Sequence, residues 1–111
     1  MSAGKKKIRE NFRNEVFERD KHKCRLCGKT DKEVKLDAHH IWNREEMPNG
    51  GYVKENGISL CDSDNGCHRQ VEEFYFSDGL LNDKSNKLHP DNLYKLIGSS
   101  YELAVKKSER L

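Results

Sequence analysis

The chain has 111 residues, enough for one domain with a small hydrophobic core. Hydrophobic residues make up 33% and charged residues 36%, so apolar burial alone supports a fold weakly and an additional staple is expected. No apolar run is long enough to cross a bilayer and the N-terminus is polar, which excludes a membrane protein and a secretory signal and predicts a cytoplasmic location.

The basic residues are concentrated at the N-terminal end of the chain. Residues 1–35 contain 12 Lys or Arg against 6 Asp or Glu, whereas residues 36–111 contain 9 against 13. The formal net charge of +2 hides this asymmetry. A basic N-terminal third is suited to contact with phosphate groups, and a solvated helix face explains such a run equally well.

The first third of the chain predicts a basic flexible tail over residues 1–7, followed by a helix over residues 8–20. The apolar residues of this helix recur every four positions and form one stripe: Ile8, Phe12 and Val16. Residues 24–28 then predict a tight turn, because Gly28 adopts backbone conformations that other residues resist.

The middle of the chain predicts two strands and a helix. Alternating apolar residues indicate a strand over residues 34–41, and a polar stretch with turn residues indicates a loop over residues 42–56. Residues 57–61 predict the returning strand, and helical spacing of apolar residues predicts a helix over residues 67–76. This order of elements indicates the α+β class.

The C-terminal part, residues 77–111, predicts a helical extension that packs on the core formed by residues 8–76. Pro90 is expected to open a short helix that Gly98 ends, and a capping box beginning at Ser99 is expected to start the last helix.

The four cysteines form two closely spaced pairs, Cys24-x2-Cys27 and Cys61-x5-Cys67. In a reducing compartment such pairs indicate metal ligands rather than disulfides. Together they supply the four thiolates of a tetrahedral zinc site, which has no open coordination position and is therefore structural. The alternative is that all four are ordinary buried cysteines.

Three of the five histidines are close in sequence to this zinc framework: His39, His40 and His68. Neighbouring strand residues point to opposite faces, so we expect His39 and His40 to have different roles. One can bind a metal while the other faces substrate, and His68 can reach the same metal from the start of the second helix. Alternatively, each of the three is a histidine without a functional role, exposed at the surface or hydrogen-bonded in the core. That is what we expect for His22 and His89.

Four motifs in fixed order carry a resemblance to a known family. They are F-x-R-D-x3-C-x2-C-G from Phe17, L-x-A-H-H-I from Leu36, N-G-I-S-L-C from Asn56, and C-H at Cys67 and His68. In this order they resemble the zinc-stapled branch of the HNH endonucleases, of the kind encoded by bacteria and phages. The resemblance implies a ββα-metal core, or His-Me finger, in which two strands and a helix hold one divalent cation against the scissile phosphate of DNA.

The resemblance also implies a role for each matching residue. His39 and His68 would bind the catalytic cation, Mg²⁺, Mn²⁺ or another divalent ion, and His40 would be the general base that activates water. Asn56 would orient the base or its loop, although in parts of the superfamily this position helps to bind the metal. Asp37 is a possible further ligand or a partner of one.

The sequence departs from the family pattern in two places. The loop between the second pair of cysteines is longer than usual, and Glu72 stands where some relatives have another histidine. The second departure implies either that Glu72 takes a ligand role or that another group, Arg69 or Arg44, contacts the phosphate. The expected DNA-binding residues are Arg19, Arg44 and Arg69.

The main alternative to a nuclease is a zinc-stapled DNA-binding module without catalysis, and a third is an accessory protein that contacts a phage terminase or packaging apparatus. A second histidine beside the first favours the enzyme. The sequence shows no separate recognition helix, so weak sequence preference and salt-dependent affinity for DNA are expected. Oligomeric state, preferred metal and the choice between nicking and double-strand cleavage stay open.

Overall fold

A computed structural model describes residues 2–111, and their side chains from Gly4 onward. The first helix, α1, spans Ser2–Arg19 and so begins before the predicted start at residue 8. Residues 2–7, expected to be a tail, continue the helix because they include alanine and three lysines, which are good helix formers. Met1, also part of that tail, lies outside the described residues. Phe12 and Val16 are buried, as the predicted stripe requires.

A two-stranded antiparallel sheet follows. Strand β1 spans Leu36–His40 and β2 spans Gly57–Cys61, with Leu36 paired to Cys61 and His40 to Gly57. The two predicted strands are thus confirmed, the first with shorter bounds. The segment between them, predicted as a loop, contains two short 3₁₀ helices over Arg44–Glu46 and Lys54–Asn56 and, between them, a turn over Pro48–Gly51 in which Asn49 and Gly50 have positive φ.

Four helices complete the chain: α2 over Cys67–Tyr75, α3 over Gly79–Asn82, α4 over Pro90–Leu96 and α5 over Tyr101–Glu109. Pro90 opens α4 and Gly98, with φ of 71°, follows its end, as predicted. The predicted capping residue of the last helix was wrong by one position. The Ser100 hydroxyl accepts the Leu103 N–H at 3.1 Å, because the Ser99 hydroxyl donates instead to the Glu55 carbonyl oxygen.

One hydrophobic core joins the sheet to the helices. Strand β2 is buried along its whole length. Three residues of the C-terminal helices belong to the same core as β2 and α2: Leu93, Tyr94 and Ala104. Within residues 2–111, no helix combines the length and the apolar character needed to cross a membrane. The mixture of helices with a small sheet confirms the α+β class.

A buried carboxylate ties the end of α1 to β2. The side chain of Asp20 is fully buried and accepts hydrogen bonds from Arg19 at 2.8 Å, from Arg25 at 3.1 Å and from the Ser59 N–H at 2.9 Å. Burial by itself raises the pKa of Asp20, but the hydrogen bonds and the charge of Arg19 outweigh it and hold the pKa below its usual value. Arg19 also donates to the carbonyl oxygens of Lys54 and Gly57, at 2.6 and 2.7 Å.

Candidate metal centres and active-site cleft

The four cysteines meet at one point, although they come from three parts of the chain. Cys24 and Cys27 belong to the turn after α1, Cys61 ends β2 and Cys67 begins α2. Their sulfur atoms all lie within 4.8 Å of one another, with 3.7 Å between the Sγ atoms of Cys27 and Cys61. Four convergent sulfurs are the donor set that tetrahedral zinc prefers.

Backbone N–H groups prepare this cluster for a cation. The N–H of Cys27 donates to the Cys24 sulfur at 3.4 Å, and the N–H of Cys67 donates to the Cys61 sulfur at 3.2 Å. Burial raises the pKa of Cys24, but backbone hydrogen bonds, led by that of Cys27, more than offset the effect and lower its pKa to about 7. Burial, with the neighbouring sulfurs adding to it, raises the pKa of Cys27 and Cys67, so a bound cation is what would hold all four sulfurs as thiolates. The convergence of the four sulfurs is the feature that fits a structural zinc ion.

A second cluster of possible metal ligands comprises Asp37, His39 and His68, whose donor atoms also lie within 4.8 Å of one another. Asp37 and His39 are two residues apart on β1 and therefore share a face of the strand. His68 is the second residue of α2, and its Nε2 atom lies 3.3 Å from an Asp37 oxygen. The structure thus brings together the three residues predicted as ligands of the catalytic cation.

The chemistry of this second cluster suits a divalent cation. The Nε2 atom of His39 is buried and finds no hydrogen-bond partner among the described residues. Burial, followed by the neighbouring His68 and His40, lowers the pKa of His39 to about 3, so the imidazole is neutral, the form that binds metals. Burial also raises the pKa of Asp37, with Asp62 and Glu72 adding to the effect and His68 opposing it.

Glu72 lies at the same cluster. It is one turn after His68 on α2, and its carboxylate is 3.3 Å from the His68 Nε2 atom. Of the two arginines offered as the alternative phosphate contact, Arg44 lines the cavity beside this cluster. Arg69 instead forms an exposed ion pair with Glu73 at 3.0 Å. The geometry therefore favours a metal-side role for Glu72 and a phosphate-side role for Arg44.

The ring of His40 is held between two aromatic residues. It stacks on Phe12 with 4.6 Å between ring centroids and lies perpendicular to the Tyr52 ring with 4.7 Å between centroids. Its Nε2 atom is buried and unpartnered within the described part of the chain. Burial, and then the charge of Arg44, lowers the pKa of His40 to about 4, so the ring is neutral at pH 7. A neutral ring can accept a proton at its other nitrogen atom, Nδ1.

The rings of His39 and His40 have different neighbours, as the alternation of a strand predicts. His39 lies against His68, with 5.2 Å between ring centroids, whereas His40 lies against Phe12 and Tyr52. Both nevertheless line the same cavity, because all five residues of β1 border it.

Asn56 is buried and uses all its hydrogen-bonding capacity. Its Oδ1 atom accepts from the Trp42 N–H at 3.1 Å and from the Tyr94 hydroxyl at 2.6 Å. Its Nδ2 atom donates to the carbonyl oxygens of Trp42 and Gly51, at 3.2 and 3.3 Å. The side chain therefore ties down the loop that follows His40, and its oxygen already accepts two hydrogen bonds. Its orienting role in catalysis stays a prediction.

The second cluster, Glu72 and His40 border one open cavity of about 690 Å³. The cavity holds His40 beside the second metal cluster, and four cationic side chains line it: Arg9, Arg13, Lys35 and Arg44. Arg9 and Arg13 were absent from the predicted DNA-binding set. They are four residues apart on α1 and therefore lie on one side of the helix, next to the side that carries Phe12. Arg19, which was predicted to bind DNA, instead donates four hydrogen bonds within the protein, to Asp20 and to two backbone carbonyl oxygens.

Comparison with known families adds one finding. Residues 24–73 match the family model described as HNH endonuclease. The matched segment includes all four cysteines, both clusters and Asn56, and it excludes α1 and α4. Searches of the curated proteins and of the solved structures found no significant match.

Proposed function

We propose that this chain is a metal-dependent endonuclease that hydrolyses phosphodiester bonds of DNA, and the match of residues 24–73 to the HNH endonuclease family model supports this. The observation that carries the proposal is the neutral His40 ring beside the cluster of Asp37, His39 and His68 in one cavity. A base and a cation site on the same cleft are the two components that such hydrolysis needs.

His39, His68 and Asp37 would hold the divalent cation, with Glu72 close enough to join them. Mg²⁺ or Mn²⁺ bound there would supply Lewis acidity toward the phosphoryl and leaving oxygens. These ligands leave room for substrate, since hard divalent cations at phosphate sites keep several positions for water and phosphate oxygens. The four-cysteine cluster has the separate task of holding α2 against the turn after α1.

The proton transfer falls to His40. Its Nδ1 atom, rather than the buried Nε2, takes a proton from a water molecule, the water oxygen forms a bond to phosphorus, and the bond from phosphorus to the 3′ oxygen breaks, with the 3′ oxygen taking a proton from solvent. Phe12 and Tyr52 fix the ring, so little rotational freedom is lost when the base engages water. Arg44 and the two arginines of α1 that line the cavity are placed to bind the phosphate charges of the strand.

The test is plasmid cleavage by purified zinc-loaded protein with Mg²⁺ and Mn²⁺, comparing wild type with His40→Ala and with the less disruptive His40→Gln. General-base catalysis contributes about 10²–10⁴-fold, and we expect losses of that size in both variants. His22→Ala is the matched control, because His22 is an exposed histidine paired with Asp31 at 3.2 Å. The endonuclease proposal is wrong if wild type cleaves no DNA, and the role of His40 is wrong if its variants cleave as wild type does.

A second measurement tests the cation site without turnover. We expect Mn²⁺ binding, measured by calorimetry, to weaken in His39→Ala and His68→Ala and to persist in His40→Ala. A non-catalytic DNA-binding module, the main alternative, predicts DNA binding without cleavage by wild type under every divalent metal. Separating nicked, linear and supercoiled products in the same assay identifies one-strand or two-strand cleavage.

A further inference from the structure

Phe76 is an aromatic residue that the fold leaves open to solvent on the wall of the cavity. It directly follows α2, and 73% of its surface is exposed. It nonetheless lines the same cavity as the metal cluster and His40. Its aromatic neighbour is Tyr75, with 5.2 Å between ring centroids and the two rings nearly perpendicular, and the high exposure of Phe76 leaves most of its ring surface open to a ligand.

The arginines that line the cavity lie on different elements from Phe76. The arginines come from α1 and from the segment after β1, whereas α2 contributes His68, Glu72 and Tyr75 to the lining, and none of its described cavity residues is Lys or Arg. Phe76 also lies at the C-terminal end of α2, where helix carbonyl groups carry partial negative charge. Phosphates are therefore favoured near α1, and an uncharged part of the nucleotide is favoured near Phe76.

That uncharged part is the base. Aromatic side chains bind bases by stacking, which requires a base face that is not already covered by its neighbours in a duplex. Eight residues separate Phe76 from His68, which corresponds to about 12 Å along a helix axis and hence to about three or four stacked base-pair steps.

We propose that Phe76 stacks on an unpaired base of the DNA strand bound in this cavity, within about four nucleotides of the cut, so that the preferred substrate is locally unstacked DNA such as a bulge, a mismatch or a flap. The proposal rests on the proposed nuclease function and adds its substrate class. Phe76 is then a specificity residue, and the metal cluster and His40 perform the same chemistry on either form of DNA.

The test compares cleavage of a 30-base-pair duplex with cleavage of the same duplex carrying three unpaired nucleotides near the cut. We expect wild type to prefer the unpaired substrate by about 5- to 150-fold in kcat/KM, the equivalent of the ~1–3 kcal/mol that base stacking contributes. Phe76→Ala should lose that preference, Phe76→Leu should keep little of it, and Phe76→Trp should restore it. Leu81→Ala is the matched control, because Leu81 is 78% exposed and lies outside the cavity lining.

A binding measurement separates this proposal from the function on which it rests. A 2-aminopurine base placed at successive positions from the cut is quenched when it stacks on an aromatic ring, and His40→Ala protein allows the measurement without cleavage. Quenching that depends on Phe76 supports the proposal. If wild type cleaves DNA but Phe76→Ala keeps the same substrate ratio, or loses activity equally on both substrates, stacking is overturned and the nuclease stands.

Discussion

Replacing Asp20 with asparagine tests the contact that joins α1 to the sheet. The two side chains are nearly equal in volume, so the change removes a negative charge without leaving a cavity. One Asp20 oxygen accepts from Arg19 and Arg25, and the other accepts from Arg19 and the Ser59 N–H. Asparagine offers a single carbonyl oxygen, and in either orientation its NH₂ group faces two donors that lose their acceptor.

The expected cost follows from burial. Breaking one partner of a buried ion pair costs about 3–5 kcal/mol. The Asp20 side chain is fully buried, but those of Arg19 and Arg25 are 23% and 29% exposed, so water recovers part of their loss. We therefore expect Asp20→Asn to lower the free energy of unfolding by about 3 kcal/mol, the lower end of that range.

The measurement is urea unfolding followed by circular dichroism at pH 7, with zinc in constant excess. Because the folded pKa of Asp20 is lowered, its stabilisation is complete above the ordinary aspartate pKa and is lost only as the pH falls through the lowered value, so pH 7 captures all of it. Glu73→Gln, which breaks an exposed pair with Arg69, is the control and should change stability by less than about 1 kcal/mol. An equally small effect of Asp20→Asn would refute the reasoning.

Three other predictions concern packing, the core hydrogen bonds and the metal. Gly57→Ala should destabilise the fold by about 1–3 kcal/mol, because its new methyl group would lie 2.5 Å from Val16. Gly4→Ala is the control, because no atom lies within 4 Å of its new methyl group, and equal urea midpoints for the two variants would contradict the prediction. Tyr94→Phe removes the hydroxyl bound to Asn56 and should lower the free energy of unfolding by about 0.5–1.5 kcal/mol, and unchanged stability would count against that bond. Removing zinc with a chelator should unfold the domain, since structural zinc contributes about 10–16 kcal/mol of apparent binding free energy, and a helical spectrum that survives chelation would argue against it.

The site residues that could be predicted from the sequence were those that lie a few positions apart in the chain and share one chemical task. The cysteine pairs and the adjacent histidines define their own neighbourhood, because a metal site needs few residue types at fixed positions. The position of His68 at the start of a helix predicted that it could reach a metal bound by a strand histidine, whereas the choice of His39 and the addition of Asp37 came from the family resemblance.

The contacts that sequence reasoning missed are tertiary ones. Arg9 and Arg13 line the cavity because α1 packs with Phe12 against the His40 ring, and no local pattern reports which helix covers a strand. Arg19 was expected at the DNA but lies where Asp20 and two backbone carbonyl groups take up its donors. One hydrogen-bond donor to Asn56 is the hydroxyl of Tyr94, which lies 38 residues further along the chain. Spacing in the sequence does not predict a contact between residues so far apart.

The bond between Tyr94 and Asn56 affects when the site is completed during synthesis. A ribosome completes residues 24–73 before it makes Tyr94, and until then Asn56 lacks the hydroxyl that donates to its side-chain oxygen. The central hydrogen-bond network closes only after α4 has left the ribosome and docked. The same order applies to a transplanted domain: a graft that carries residues 24–73 without Tyr94 brings both metal clusters but leaves the loop beside its base without one of its anchors.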